Sequence, residues 1–191
     1  MTHYVSRIIS ESIPRLVFVG LFLSCANDPR QVRDFLTEKN LPIAVAKDVN
    51  HYYKDSGRLS FKLSTAIMKD FSNRQRHPYR EFPEGVRIVN FENNGQDSIT
   101  VLGDYALSYI KTHISELKEN VVIINHSDAS KLKTNQLFWD RKNKYFFTEE
   151  RFVLTKMRDT ITGIGFESME NLRKYIAKNT TGDVFMSENE L

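Results

Sequence analysis

Leu59-Ser60-Phe61-Lys62-Leu63-Ser64-Thr65-Ala66-Ile67 is the stretch that decides the fold. Phe61, Leu63, Thr65 and Ile67 alternate with Ser60, Lys62, Ser64 and Ala66, which is the period of a strand with one buried and one wetted face. Just upstream, Asp55-Ser56-Gly57 is a turn, with Gly57 supplying the backbone freedom that a tight reversal needs. Downstream, similar runs recur at residues 86–91, 98–102, 105–114, 121–125, 132–138, 145–148, 152–157 and 160–166. Most are rich in β-branched or aromatic side chains. Between them stand Glu84-Gly85, Asn93-Asn94-Gly95, Ser127-Asp128, the Asp140 to Asn143 turn and Arg158-Asp159. Gly95, like Gly57, is read as a turn glycine. Short strands at near-even spacing predict an all-β meander.

A weak repeat of turn, alternating strand and second strand opens near Leu59, Ile99, Leu132 and Ile161. The spacing drifts, so the repeat unit is a hairpin and not a solenoid turn. Stacked antiparallel hairpins with their apolar faces turned the same way follow. Helical periodicity is convincing only at residues 167–177, where Met169, Leu172 and Ile176 fit one face of a helix; an edge strand is the alternative for that stretch.

The first fifteen residues are polar and carry Arg7 and Arg15 against Glu11, and Leu16 to Leu23 then run without a charge. This apolar run is far shorter than the roughly 20 residues that span a bilayer. It reads as an export signal over residues 1–24. The signal ends in Leu21-Phe22-Leu23-Ser24-Cys25, similar to the lipobox at which lipid is attached to a cysteine thiol, with Phe22 and Leu23 replacing the usual leucine and smaller residue. Cys25 is the single cysteine of the 191 residues, so it is the expected lipid anchor and no disulfide can form. Residues 25–49 are polar and mixed in charge, with Pro29 and Pro42, and read as a tether with a short helical stretch at 31–36. The folded domain is then expected over residues 50–191.

Removal of residues 1–24 leaves 25 basic and 23 acidic residues, a balance that does not suggest nucleic acid. His51, His77, His113 and His126 have no metal-ligand spacing, and no phosphate-cradling glycine loop or nucleophile elbow occurs. Asn125-His126-Ser127-Asp128 reads as a turn. Neither a catalytic residue nor a cofactor nor a metal is expected. Two basic clusters, Arg74, Arg76 and Arg80, and Lys131, Lys133, Arg141, Lys142 and Lys144, could meet lipid phosphates or simply face solvent.

Tyr52-Tyr53-Lys54-Asp55-Ser56-Gly57-Arg58-Leu59-Ser60-Phe61-Lys62-Leu63 resembles the opening strand pair of the LptC family, the periplasmic component of the lipopolysaccharide-export ABC transporter. Tyr79-Arg80-Glu81-Phe82-Pro83-Glu84-Gly85-Val86 and Ile99-Thr100-Val101-Leu102-Gly103-Asp104-Tyr105-Ala106 are similar to its second unit. Asn120-Val121-Val122-Ile123 resembles its Gly-Asn-Val strand, with Glu119 where the family has glycine. Leu132 to Asp140 and Ile161 to Ser168 resemble the closing part. The resemblance runs from about Asn50 to Ser168.

It implies a twisted, open half jelly roll whose apolar groove takes the acyl chains of lipopolysaccharide. Leu59, Phe61, Leu63, Phe82, Val101 and Phe138 are the expected groove residues, by strand parity and by fit to the family's interior positions; each could equally fill a closed core. The implied partners are the transporter's membrane subunits and, by strand addition, the next bridge protein. The implied place is the periplasm, with the lipid on Cys25 at the inner membrane in place of the transmembrane helix of familiar members. The competing reading is a structural or adhesive envelope lipoprotein with a closed core.

Overall fold

The computed structural model describes residues 29–92, 97–157 and 159–183. The chain divides into two units, Met1–Lys39 and Asn40–Leu191. The export signal, Cys25 and Gly95 lie outside the described residues. In the first unit, α1 (Pro29–Glu38) covers the helical stretch expected at 31–36.

The second unit is antiparallel β throughout. It runs β1 (Ala44–Asp55), β2 (Arg58–Phe71), β3 (Tyr79–Phe82), β4 (Val86–Glu92), β5 (Asp97–Gly103), β6 (Tyr105–Tyr109), β7 (Ile114–Asn125), β8 (Lys131–Asp140), β9 (Tyr145–Lys156), β10 (Asp159–Met169), β11 (Tyr175–Ala177) and β12 (Thr181–Asp183). β1 begins at Ala44, inside the stretch read as a tether, and Gly57 turns into β2 at φ +81°. The 105–114 run is interrupted, because β6 stops at Tyr109 and β7 starts at Ile114. The 145–148 and 152–157 runs join into β9, and the 167–177 segment forms no helix: it ends β10, turns, and gives the short edge strand β11.

The sheet forks. β2 pairs with β4 through Phe61–Ser64 and with β3 through Lys69–Phe71. β7 pairs with β6 through Ser115–Lys118 and with β5 through Val122–Asn125. Two leaves therefore part at β2 and rejoin at β7. The first holds β4 and β5 with the early half of β2 and the late half of β7, and the second holds β3 and β6 with the complementary halves. β8, β9 and β10 continue across both, which makes the fold jelly-roll-like.

The line along which β7, β8, β9 and β10 pass from one leaf to the other is the bend. At the bend the pairing slips: between Lys118 and Val121 in β7, Thr134 and Phe138 in β8, and Ile164 and Phe166 in β10. Glu119 and Asn120 take left-handed backbone there, at φ +60° and +49°. That conformation costs a non-glycine residue about 1–2 kcal/mol, which accounts for the glycine at Glu119's position in the resembling family. Two threonines tie the bend together. Thr65 Oγ1 donates to Gly85 O at 2.7 Å, and Thr134 Oγ1 donates to Arg151 O at 2.9 Å.

A bulge of one residue exchanges the two faces of a strand. In β8 the buried set is Leu132 and Thr134 before the bend and Leu137 and Trp139 after it. In β10 it is Gly163 before and Phe166 and Ser168 after. The core lies between the leaves: Val86, Ile88, Ile99, Val101, Ile123, Leu132, Phe152 and Leu154 from the first, and Phe82, Ala106, Leu117, Leu137, Trp139, Phe146 and Phe166 from the second.

Candidate functional site

The interior between the leaves is the site to which sequence reasoning pointed, and its covering is uneven. It is sealed by Leu117, Ile123, Leu132, Leu137, Phe146, Phe152 and Phe166, all 0% exposed, while Ile161 of β10 and Tyr175 and Ala177 of β11 pack on the same core half-buried. At the β2 end it is not, because Phe61, Leu63 and Met68 are only half-buried where they pack on the core. β1, beyond them, is exposed along most of its length.

Four of the six residues expected to line a groove meet in this interior. Phe61 and Leu63 sit at the half-open end, and Phe82 and Val101 lie buried inside. Leu59 is half-buried opposite Lys54 and is not part of the buried cluster. Phe138 is on the other face of β8, opposite Glu116 and stacked on Phe147 at 5.1 Å. A strict count of two from Leu132 puts Phe138 inward. The slip after Thr134 instead brings Trp139 inward.

The mouth of the interior, at the strand ends farthest from the bend, is polar. Asn90 continues the inward positions of Val86 and Ile88, and Asn125 continues those of Val121 and Ile123. Both face the turn that follows β10. Glu170 Oε1 accepts from Trp139 Nε1 at 2.6 Å, and Glu170 Oε2 from Asn90 Nδ2 at 3.5 Å. Asn171 O accepts from Asn125 Nδ2 at 2.8 Å. The turn thus joins the second leaf, through Trp139, to the first leaf, through Asn90 and Asn125. Leu172 is fully buried in the core cluster. Sequence reasoning missed these residues, although a polar side chain at an inward position of an apolar strand was the signal for Asn90 and Asn125.

The edge of β10 is covered by the chain itself. β11 pairs with Phe166–Ser168 and β12 with Thr160–Thr162. Between them, Lys178 N donates to Gly165 O at 2.9 Å and Lys178 O accepts from Ile164 N at 3.2 Å. The Lys178 ammonium lies 2.7 Å from Glu167 and 3.3 Å from Glu149. Lys178, and then the Tyr145 hydroxyl, hold the Glu167 carboxyl below the usual carboxylate range. Glu167 and Glu149 in turn push the Lys178 ammonium up. The folded Glu167 pKa is depressed, so this link is complete above the ordinary glutamate value and is lost as the pH falls through the depressed one.

Elsewhere the polar groups serve local structure. His126 Nε2 is 2.9 Å from Thr100 Oγ1, and Ser127 Oγ donates to Asn125. Arg80 is paired with Asp70 at 3.3 Å, and Arg141 Nε donates to His113 O. A cleft of about 630 Å³ lies at the bend, lined by Val49, Val86 and Leu102 as well as by Asn50, Arg87 and Asp104. Among the described residues no helix is long and apolar enough to cross a membrane.

A family model described as Lipopolysaccharide-assembly, LptC-related, matches residues 16–176. No curated protein matches the chain.

Proposed function

The chain belongs to this LptC-related family and serves lipopolysaccharide transport in association with the periplasmic side of a membrane, and on that premise we propose that the interior between its leaves is the lipid-carrying groove. The observation that carries the reading is the uneven cover of one continuous apolar interior, fully sealed across β7 to β9 and half-open at Phe61, Leu63 and Met68. Acyl chains enter at the half-open end and displace the packing between the leaves. Each methylene shielded from water contributes roughly 0.8 kcal/mol, so a multi-chain lipid repays the splaying of side chains that otherwise pack on one another. No bond is made or broken by this protein in the process.

The exposed edge at β1 faces the transporter's membrane subunits, and the edge at β10 passes lipid to the next bridge protein by strand addition. Cys25 carries the lipid that holds the domain at the inner membrane. Fractionation tests the anchor: Cys25→Ser is expected to move the protein out of the membrane fraction, and a variant that stays there removes Cys25 as the anchor.

The sealed half of the core favours the competing reading of a structural envelope protein that binds only protein. Photo-crosslinking in cells separates the two. Probes at Phe61 and Leu63 are expected to capture lipopolysaccharide, and a probe at Phe138, on the outer face, is not. Protein adducts alone from Phe61 and Leu63 overturn the groove.

A further inference from the structure

We propose that residues 170–183 form a strap that closes the mouth of the interior and comes away as one unit when a partner strand takes the edge of β10. This rests on the interior being the lipid groove. The strap has two parts, a plug at Glu170, Asn171 and Leu172 and the tail strands β11 and β12.

The plug joins the leaves by side chains. Glu170 holds Trp139 of the second leaf and Asn90 of the first, Asn171 holds Asn125 of the first, and Leu172 fills the space between them. The Glu170 N–H also donates to Lys144 O at 3.0 Å, at the β8–β9 turn. Leu172 makes its contact with the backbone at φ +56°, a conformation that costs a branched residue about 1–2 kcal/mol and persists only while its surroundings enforce it. The plug is therefore seated by burial and disfavoured by its own backbone.

The tail packs Tyr175, stacked on Phe166 at 5.7 Å, and Ala177 half-buried on the core, but its backbone ladder is shorter than that of the strand it covers. β10 pairs along its length with β9, whereas β11 and β12 each contribute three residue pairs, separated by a break. Lys178 pairs with the exposed Glu149 and the half-buried Glu167, and such surface pairs contribute little. Short edge ladders with exposed backbone bonds open first in a folded protein. A longer incoming strand gains a ladder that the broken tail does not make. Only Arg173 and Lys174 separate Leu172 from Tyr175, so a tail lifted from β10 pulls directly on the plug. Partner docking at one edge is thereby converted into opening of the groove.

A reversible lock tests this. Glu167 and Ile176 are opposed in the β10–β11 ladder, a spacing that a disulfide can bridge. The full chain is purified with Cys25→Ser, Glu167→Cys and Ile176→Cys, and compared oxidised and reduced, with Glu167→Ser and Ile176→Ser as the matching control. In the reduced protein, the amides of Glu170, Leu172 and Lys178 are expected to exchange together, at least about tenfold faster than those of Phe152 and Leu117. Oxidation is expected to slow all three together. Binding of lipopolysaccharide dispersed in detergent is expected to weaken by about tenfold or more on oxidation and to return with reductant. Plug amides that exchange as slowly as Phe152 while Lys178 exchanges fast would show that plug and tail are uncoupled, and this overturns the strap. Equal lipid binding by the oxidised and reduced forms overturns it as a gate. Coupled exchange with no lipid binding in either form overturns the groove reading itself, and the gate with it.

Discussion

Phe152→Ala is expected to lower the unfolding free energy by about 3–5 kcal/mol, the usual cost of removing a fully buried aromatic ring. Phe152 is 0% exposed, lies 5.0 Å from the ring of Phe166, and stands opposite Gly163 in the β9–β10 ladder. Its removal takes away apolar burial, a ring pair and the cover of a glycine that has no side chain of its own. The leaves close on this ring from both sides of the bend, so little can move in to fill the space. Phe138→Ala provides the contrast. That ring is half-buried on the outer face against Phe147, and its loss is expected to cost no more than about 1.5 kcal/mol, the upper range for an aromatic pair. Urea titration of both variants reads the difference as a shift in midpoint at unchanged slope. Equal losses would mean that the inward and outward faces of β8 and β9 have been assigned wrongly.

Gly163→Ala is expected to cost about 1–3 kcal/mol, the range for forcing atoms into a filled site. An added methyl carbon would stand 2.5 Å from Lys178 O and 2.7 Å from Cε1 of Phe152, closer than such atoms approach. One neighbour must yield. Phe152 is locked in the core, whereas Lys178 belongs to the lightly paired tail, so the tail gives way. The Lys178 amide is therefore expected to lose its protection from exchange while the Phe152 amide keeps it. Loss of protection at Phe152 with Lys178 unchanged would reverse the assignment of which side is rigid.

Period-two patterning made most of the strands legible, because each buries one face and wets the other. The bend was not legible. Alternation is a local signal, and the slip after Thr134 is set by how two leaves meet across the molecule, so Trp139 and Phe138 exchange faces with no mark in their own strand. β1 escaped for the opposite reason: it is exposed on both faces, and nothing in Ala44 to Val49 needed to alternate. Glu167 to Ala177 carried a helical period locally, yet pairing makes its start the end of β10 and its last three residues β11. The plug was the hardest part to see. Glu170 carries an acidic side chain into a buried position because Trp139 and Asn90 meet it there, and neither partner is near it in sequence.

The slipped pairing at the bend also bears on how such a chain changes length over generations. Within either leaf, one inserted or deleted residue would turn every following side chain to the opposite face and put the apolar set of that strand into water. At the bend each strand already absorbs an irregularity of this kind, at Glu119-Asn120, Asn135-Gln136 and Gly165. Length variation among related chains should therefore gather along this one line across the sheet, and a sequence alignment that spreads its gaps through the leaves has mispaired the strands.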